Sequence, residues 1–485
     1  MERMPEQRRP KLFDAAGVAA GGGEDQLSAL PDDLLIHILL KLWDTPVAAR
    51  TSVLARRWRR VWALLPELHF PAGTDPDGLR AALSAHDAPA LGHLFVAATE
   101  ATPESVAEWL PIAARRLSSV LHFRNWRKMT DASAASPLKL PCFQNATEVV
   151  LDLHSIGLTL PPSGIFTQLT DLKLFDIQLH GPCRLGDVVS SPRCPSLLRL
   201  SVSRVWGLDK FTIQSESLLQ LDLVFLPSLQ QLNVIALALR ELGVRFCFTS
   251  AQSQPIANIS APQLVTLDWS TAYDPSSILF GEMAHLQQLR TIDLIVYGED
   301  VFSAHNRHCL MLLQHFDHIS SLILSLLYPV KCNNRFLMEE MTKFPSITSL
   351  TLAVMSSGHS FGASSFHVLK MSSGIRELEL NLDLEAPAVC QSGCICAEPS
   401  NWETEELVLQ CLEEVVINDL RGTEHELALV KRLFCWTTML KGMTVNFHDS
   451  ISESKGKEIC KLLLGFSRPG ICMKFLHRGK ACSSD

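Results

Sequence analysis

The chain has 485 residues, of which 47% are hydrophobic and 19% charged, a balance that requires a large apolar interior and excludes a chain disordered throughout. Its formal net charge of −8 argues against a nucleic-acid binder, which needs a basic surface to neutralise phosphates. Most of the 14 cysteines fall singly in apolar strands or loops, the pattern of buried thiols in a reducing compartment rather than a disulfide framework.

Residues 1–24 read as a disordered tail: Asp14 and the run Gly21-Gly22-Gly23 interrupt any apolar core, which makes the segment a poor export signal. No uninterrupted apolar run of about 18 residues follows, so no membrane span is expected and an intracellular location, nucleus or cytoplasm, is. Residues 25–70 then read as a three-helix unit. Pro31 with Asp32 and Asp33 suits a helix start, where the missing N–H costs nothing and negative charge meets the positive end of the helix dipole. Leu34, Leu35, Ile38, Leu39 and Leu42 follow at helical spacing. Thr45-Pro46 reads as the cap of a second helix, and Ala55 to Leu65 as a third with Trp58, Val61, Trp62 and Leu65 along one side. A unit of about 45 residues cannot hide so much apolar surface alone, so a remainder is left for a partner. The one dense basic cluster, Arg56, Arg57, Arg59 and Arg60, reads as the solvated face of the third helix.

Residues 71–398 repeat themselves. Apolar residues at first, fourth and sixth positions recur from Leu91-x-x-Leu94-x-Val96 through Leu169, Leu197, Leu218, Leu239, Leu264, Leu289, Ile319, Ile347 and Ile375, and on through Leu412 and Leu440, with weaker members starting at Leu117 and Ala146. Successive starts lie 21 to 37 residues apart, mostly near the roughly 20–29 of leucine-rich repeats. Each strand then puts its fourth and sixth residues on one face, and one repeat cannot bury that face without its neighbours. The expected fold class is therefore α/β: parallel strands stacked into an irregular leucine-rich-repeat solenoid, or horseshoe, behind the helical unit. Thr102-Pro103-Glu104 starts a returning helix whose face is Val106, Trp109, Leu110, Ala113 and Leu117, whereas Leu229-x-x-Leu232-x-Val234 suggests an extended return. The asparagine or cysteine usual eight residues after a start is present only as Asn125 and Cys247, which predicts variable turns. Lys173, Arg199, Gln220, Arg240, Thr266 and Thr291 alternate with the buried positions and are the candidate target contacts on the concave face.

The widest step spans a Cys/Pro-bearing loop at 386–402 that holds Cys390, Cys394 and Cys396. Three thiolates could hold zinc, but no second pair at metal spacing follows, so the expectation is a flexible reduced loop with no metal and no cofactor. Residues 399–476 read as strand, turn at Gly422, helix Glu424 to Cys435, strand, helix Glu453 to Leu464 and a last strand near Ile471 to Leu476; 477–485 are a tail. His425-Glu426 lacks the second histidine of a zinc-protease helix, since position 429 is leucine. There is no G-x-S-x-G, no phosphate-cradling glycine loop and no framed carboxylate pair, so no catalytic residue is assigned.

Two stretches resemble known families. Leu27-Ser28-x-Leu30-Pro31-Asp32-Asp33-Leu34-Leu35-x-x-Ile38-Leu39, with Ala49-Arg50-Thr51-Ser52-Val53-Leu54-x-Arg56-Arg57-Trp58-Arg59-x-x-Trp62, resembles the F-box of plant F-box proteins. Leu412 to Ile417, Leu420 to Lys431 and Met439 to Val445 resemble the FBD segment that closes many of them. The resemblance implies a non-catalytic substrate receptor of a Skp–cullin–F-box ubiquitin ligase. Leu30, Pro31, Leu34, Ile38 and Leu39 would face the Skp-type adaptor, Val53, Trp58 and Trp62 would support or complete that surface, and an unidentified target protein would sit on the repeats. Two alternatives stay open: a leucine-rich scaffold outside any ligase, and a co-receptor that needs a small molecule to hold its target.

Overall fold

A computed structural model describes residues 30–54, 56–126, 136–248, 254–297, 300–330, 332, 341, 343–382, 390, 394–397 and 401–481. The expected 1–24 tail, Leu27, Ser28, Ala55 and much of the 386–402 loop lie outside them.

The chain is a mixed α/β protein built on one large, almost wholly parallel sheet. Its strands are Glu67–Phe70, Leu91–Thr99, Leu117–Trp126, Glu148–Thr159, Asp171–His180, Arg199–Trp206, Gln220–Val224, Glu241–Arg245, Thr266–Ser270, Gln288–Ile295, Ser321–Leu327, Ser349–Met355, Glu377–Asn381, Glu414–Leu420, Gly442–Phe447 and Cys472–His477, each parallel to the next. The register follows the repeat: Leu172 is opposite Leu200, Leu200 opposite Leu221 and Leu221 opposite Leu242, with Leu174, Val202, Leu223 and Val244 in the parallel row. Both rows are buried in one continuous apolar core, where each leucine contributes roughly 1.5–3 kcal/mol. Asp176, Arg204, Phe225, Phe246 and Asp419, each seven residues after a start, have φ of 52° to 62° and turn the chain out of its strand, a conformation that costs non-glycine residues roughly 1–2 kcal/mol.

Repeat length decides what returns. The starts from Leu197 to Leu264 lie 21 to 25 residues apart, too short for a helix beside a strand and two turns, and there a second parallel sheet forms from Lys210–Ser215, Gln231–Ala236, Ile256–Ser260 and Ile278–Phe280. The extended return at Leu232 and Val234 is its second strand. Longer repeats carry helices, because a helix advances only about 1.5 Å per residue and stores the extra chain. In chain order the helices are α1 (Asp32–Leu40), α2 (Thr45–Arg50), α3 (Trp58–Val61), α4 (Pro76–Ala85), α5 (Pro103–Arg116), α6 (Leu185–Val189), α7 (Asp300–His315), α8 (Gly362–Met371), α9 (Glu424–Trp436) and α10 (Glu453–Phe466). α5 begins at a Thr102/Ser105 capping box and buries Val106, Trp109, Leu110 and Ala113; α9 begins at a Thr423/Glu426 box.

The structure corrects several expectations. Residues 67–70, assigned to the helical unit, are the first strand of the sheet: Leu68 lies opposite Leu94 and Phe70 opposite Val96, so Leu65-x-x-Leu68-x-Phe70 is itself a repeat. The repeat placed at Leu289 starts at Leu286, whose N–H bonds Met283 as the starting Leu264 bonds Ala261; Leu289 pairs Leu322, and a bulge before Ile292 restores the alternation. The third helix is helical only at Trp58–Val61 and tightens to a 3₁₀ turn at Trp62–Leu64. Asp44, not Thr45, caps α2: its carboxylate accepts from the Val47 N–H at 2.8 Å.

Freed from capping, Thr45 serves the sheet. Its buried hydroxyl accepts from the His69 N–H at 2.7 Å, and α2 packs on the first strand, so the helical unit covers that edge. Thr45→Val keeps the shape but orphans a buried N–H; the expected cost is about 1–3 kcal/mol, read as a lower urea midpoint at unchanged slope. At the far end, His477 pairs antiparallel with Lys480 across a turn in which Arg478 and Gly479 both have positive φ, so a short, charged hairpin shields the last strand.

Candidate interaction surfaces

α1 carries two apolar stripes, because Leu34/Ile38 and Leu35/Leu39 are both i,i+4 pairs, about 100° apart around the helix. The helical unit packs one of them inward: Leu35 and Leu39 are 0% and 2% exposed, with Ala48, Trp58, Val61 and Leu65 in the same core. The other stays outside, Leu34 at 49% and Ile38 at 39%, and it continues into exposed Leu42, Trp43, Val47, Val53 and Leu54. No other stretch of about 20 described residues exposes so many large apolar side chains, and such density is the mark of a docking surface. An ion pair of 2.6 Å between Asp32 and Arg57 ties the start of α1 to the turn before α3, while Arg56, Arg59 and Arg60 face solvent as expected.

Of the residues expected to meet an adaptor, Pro31, Leu34, Ile38 and Val53 are exposed, Leu30 and Trp62 are half-buried, and Trp58 is buried beneath them. Leu39 is a correction: it turns into the core, since it shares the inward stripe with Leu35.

On the main sheet, the second and fourth residues after most starts point away from the core; after Leu117 a bulge shifts the alternation by one, so Leu121 and Phe123 turn inward and Val120 and His122 outward. Arg199, Gln220 and Thr266 share one row, Asp171–Arg199–Gln220–Glu241–Thr266, and Lys173 the next. Arg240 is a correction: it precedes the strand, and Glu241 takes its place in the row. Thr266 is buried rather than open, and Thr291 falls at the bulge, with its side chain outside the described residues. The charges pair across strands: Lys173 with Glu148 at 2.9 Å, Arg199 with Asp171, Arg245 with Asp222 at 2.9 Å. Asp152, His154 and Asp176 also gather there, but Arg124 and Arg204 pair the two carboxylates, which leaves little field for a cation.

The fourth-position row also holds a feature that periodicity could have found and the list of polar candidates missed. His69 stacks on Phe95 with centroids 4.6 Å apart, Trp43 meets His69 at 4.7 Å, and Phe95 leads to His122. They line a cleft of about 280 Å³ with Arg124, where the helical unit meets the first three strands. Burial holds the His122 imidazole below its ordinary pKa, Glu148 opposing and Arg124 assisting.

Asn125 and Cys247 do act inside the turns. Asn125 is fully buried; its Oδ1 accepts from the Ala101 N–H at 3.0 Å and its Nδ2 donates to the Ala101 carbonyl at 3.3 Å, while the Cys247 thiol meets the Leu223 carbonyl. Asn306, on α7, does the same for Ile295 at 3.0 and 2.9 Å and was not singled out, because it comes from a returning helix and not from the repeat position.

Among the described residues no helix is long and apolar enough to cross a membrane. No protein-family model matches the chain. It is similar to curated Arabidopsis thaliana proteins: a putative F-box/FBD/LRR-repeat protein, 27% identical over 268 residues, 53% of each chain; a second of that description, 28% identical, covering 51% of this chain and 57% of the relative; and a putative F-box protein, 27% identical, covering 62% and 69%. The chain spans about half the length of the first two relatives.

Proposed function

We propose, from the premise that this chain is a relative of plant F-box/FBD/LRR-repeat proteins, that it is the substrate-recognition subunit of a Skp–cullin–F-box ubiquitin ligase. The observation that carries the reading is the exposed stripe Leu34, Ile38 and Val53 on a helical unit whose other stripe is already spent on the core. In this reading residues 30–65 dock the adaptor, with Leu30, Pro31, Leu34, Ile38, Val53 and Trp62 at or beside the contact and Leu39 and Trp58 holding the helices from within. The repeats from Leu65 onward form the solenoid that takes the target protein, and 399–476 close it as the FBD segment. The outward rows of the sheet, with the Trp43–His69–Phe95 cleft at one end and Arg199 and Gln220 further along, are the target face.

The chain performs no bond chemistry in this reading. It holds a target lysine near a charged conjugating enzyme borne by other subunits, and tethering raises the effective concentration of that lysine. The test is co-purification of the full chain with a Skp-type adaptor and its cullin. Leu30→Ala with Pro31→Ala is expected to abolish capture while the melting temperature of the repeats stays near wild type; retained capture counts against the assignment.

A further inference from the structure

The sequence offers three cysteines in the longest connection and no fourth ligand nearby. The fold supplies one from the preceding repeat. His359 follows strand Ser349–Met355 in a turn where Ser357 and Gly358 both have positive φ, and this reversal, closed by the His359 N–H to the Ser356 carbonyl at 2.9 Å, aims the ring inward. The ring is 4% exposed and stacks against Tyr328, so its direction is held by packing. Cys390, Cys394 and Cys396 arrive from the connection between strands Glu377–Asn381 and Glu414–Leu420, the last at a 3₁₀ turn, Ile395–Ala397.

The four ligand atoms lie within 4.8 Å of one another. His359 Nδ1 is 3.1 Å from Cys390 Sγ, 3.3 Å from Cys396 Sγ and 3.5 Å from Cys394 Sγ, and the Cys390 and Cys396 sulfurs are 3.5 Å apart. A tetrahedral zinc ion with bonds of about 2.3 Å to sulfur and about 2.0–2.1 Å to nitrogen sets its ligands roughly 3.5 Å (N to S) and 3.8 Å (S to S) apart. The observed edges are those of such a cage, slightly contracted. We propose that His359, Cys390, Cys394 and Cys396 form a structural zinc site.

Three thiolates and an imidazole at tetrahedral spacing select zinc over the hard cations, which want oxygen, and four protein ligands leave no open position for catalysis. The site joins two successive repeats just past strands Ser349–Met355 and Glu377–Asn381, and Cys332, close to Cys394, brings a third repeat to its rim. The longest insertion in the repeat array thereby becomes a staple. The inference is independent of what the N-terminal helices bind.

The full chain, produced in zinc-supplemented medium and desalted, is expected to carry about one zinc per chain by elemental mass spectrometry. Cobalt exchange should give thiolate-to-cobalt charge transfer with tetrahedral d–d bands. Cys390→Ser with Cys396→Ser should lower zinc affinity by more than the roughly 10–100-fold that even an outer-shell partner is worth, and Cys411→Ser, exposed and outside the cluster, should leave it unchanged. His359→Ala should weaken binding and alter the cobalt spectrum. If the cysteine variant does not fold, the wild-type stoichiometry and cobalt spectrum decide alone. A wild-type chain without zinc or cobalt bands, a double variant that keeps full occupancy, or a native disulfide within the cluster overturns the proposal.

Discussion

Leu34→Glu with Ile38→Glu is expected to abolish binding of a Skp-type adaptor and leave the melting temperature nearly unchanged, whereas Leu35→Ala or Leu39→Ala should do the reverse. The two pairs sit on the same helix, one residue apart, and differ only in where the stripe points. Glutamates in place of Leu34 and Ile38 enter solvent in the free chain at little cost, since surface changes usually stay within about 0.5 kcal/mol. In a complex they would be desolvated without partners; anchor residues of interfaces cost about 2 kcal/mol or more each when lost, roughly 30-fold in affinity, and a buried charge adds to that. Leu35 and Leu39 are closed in by the core, so truncation leaves a cavity worth about 2–5 kcal/mol. Calorimetric titration with the adaptor and thermal melts of the three variants read the contrast directly. Adaptor binding by the Leu34→Glu/Ile38→Glu chain would falsify the assignment of this stripe.

The second large effect belongs to the buried asparagines. Asn125→Ala is expected to destabilise the chain by roughly 2–5 kcal/mol, because it strands both the N–H and the carbonyl of Ala101, each worth about 1–3 kcal/mol when buried without a partner. Asn306→Ala should cost about the same through Ile295, although it sits on α7 rather than at a repeat position. Arg199→Ala, whose guanidinium is half-exposed in its pair with Asp171, supplies the contrast at about 0–1 kcal/mol. Denaturant midpoints at constant slope measure all three. Equal small losses throughout would show that the amides do not hold the turns.

The repeat was legible because one row of buried residues per strand imposes period two, and stacking imposes a longer period set by how much chain a turn of the array consumes. Counting from Leu65 would have extended it one strand earlier, and counting the fourth position would have reached His69 and Phe95, whereas a bulge puts His122 five residues after Leu117. The bulge that moves Leu289 was not legible, since a single inserted residue leaves apolar spacing on both sides intact. Nor was the division of labour on α1: Leu34, Leu35, Ile38 and Leu39 all satisfy helical spacing, and only the neighbours that pack against the helix choose which pair is covered.

The sequence by itself determined the parallel α/β architecture, the helix starts at Pro31, Thr102 and Glu424, and the family likeness, because each rests on local chemistry or on a period that survives without long-range contacts. The tertiary structure alone decided that Thr45 guards a sheet edge, that Leu39 faces inward and Thr266 is covered on its outward row, and that His359 meets three cysteines more than 30 residues away in sequence. The physical reason is common to all three: hydrogen-bond partners and metal ligands are chosen by position in space, and in a stacked array residues one repeat apart become neighbours whatever the sequence between them.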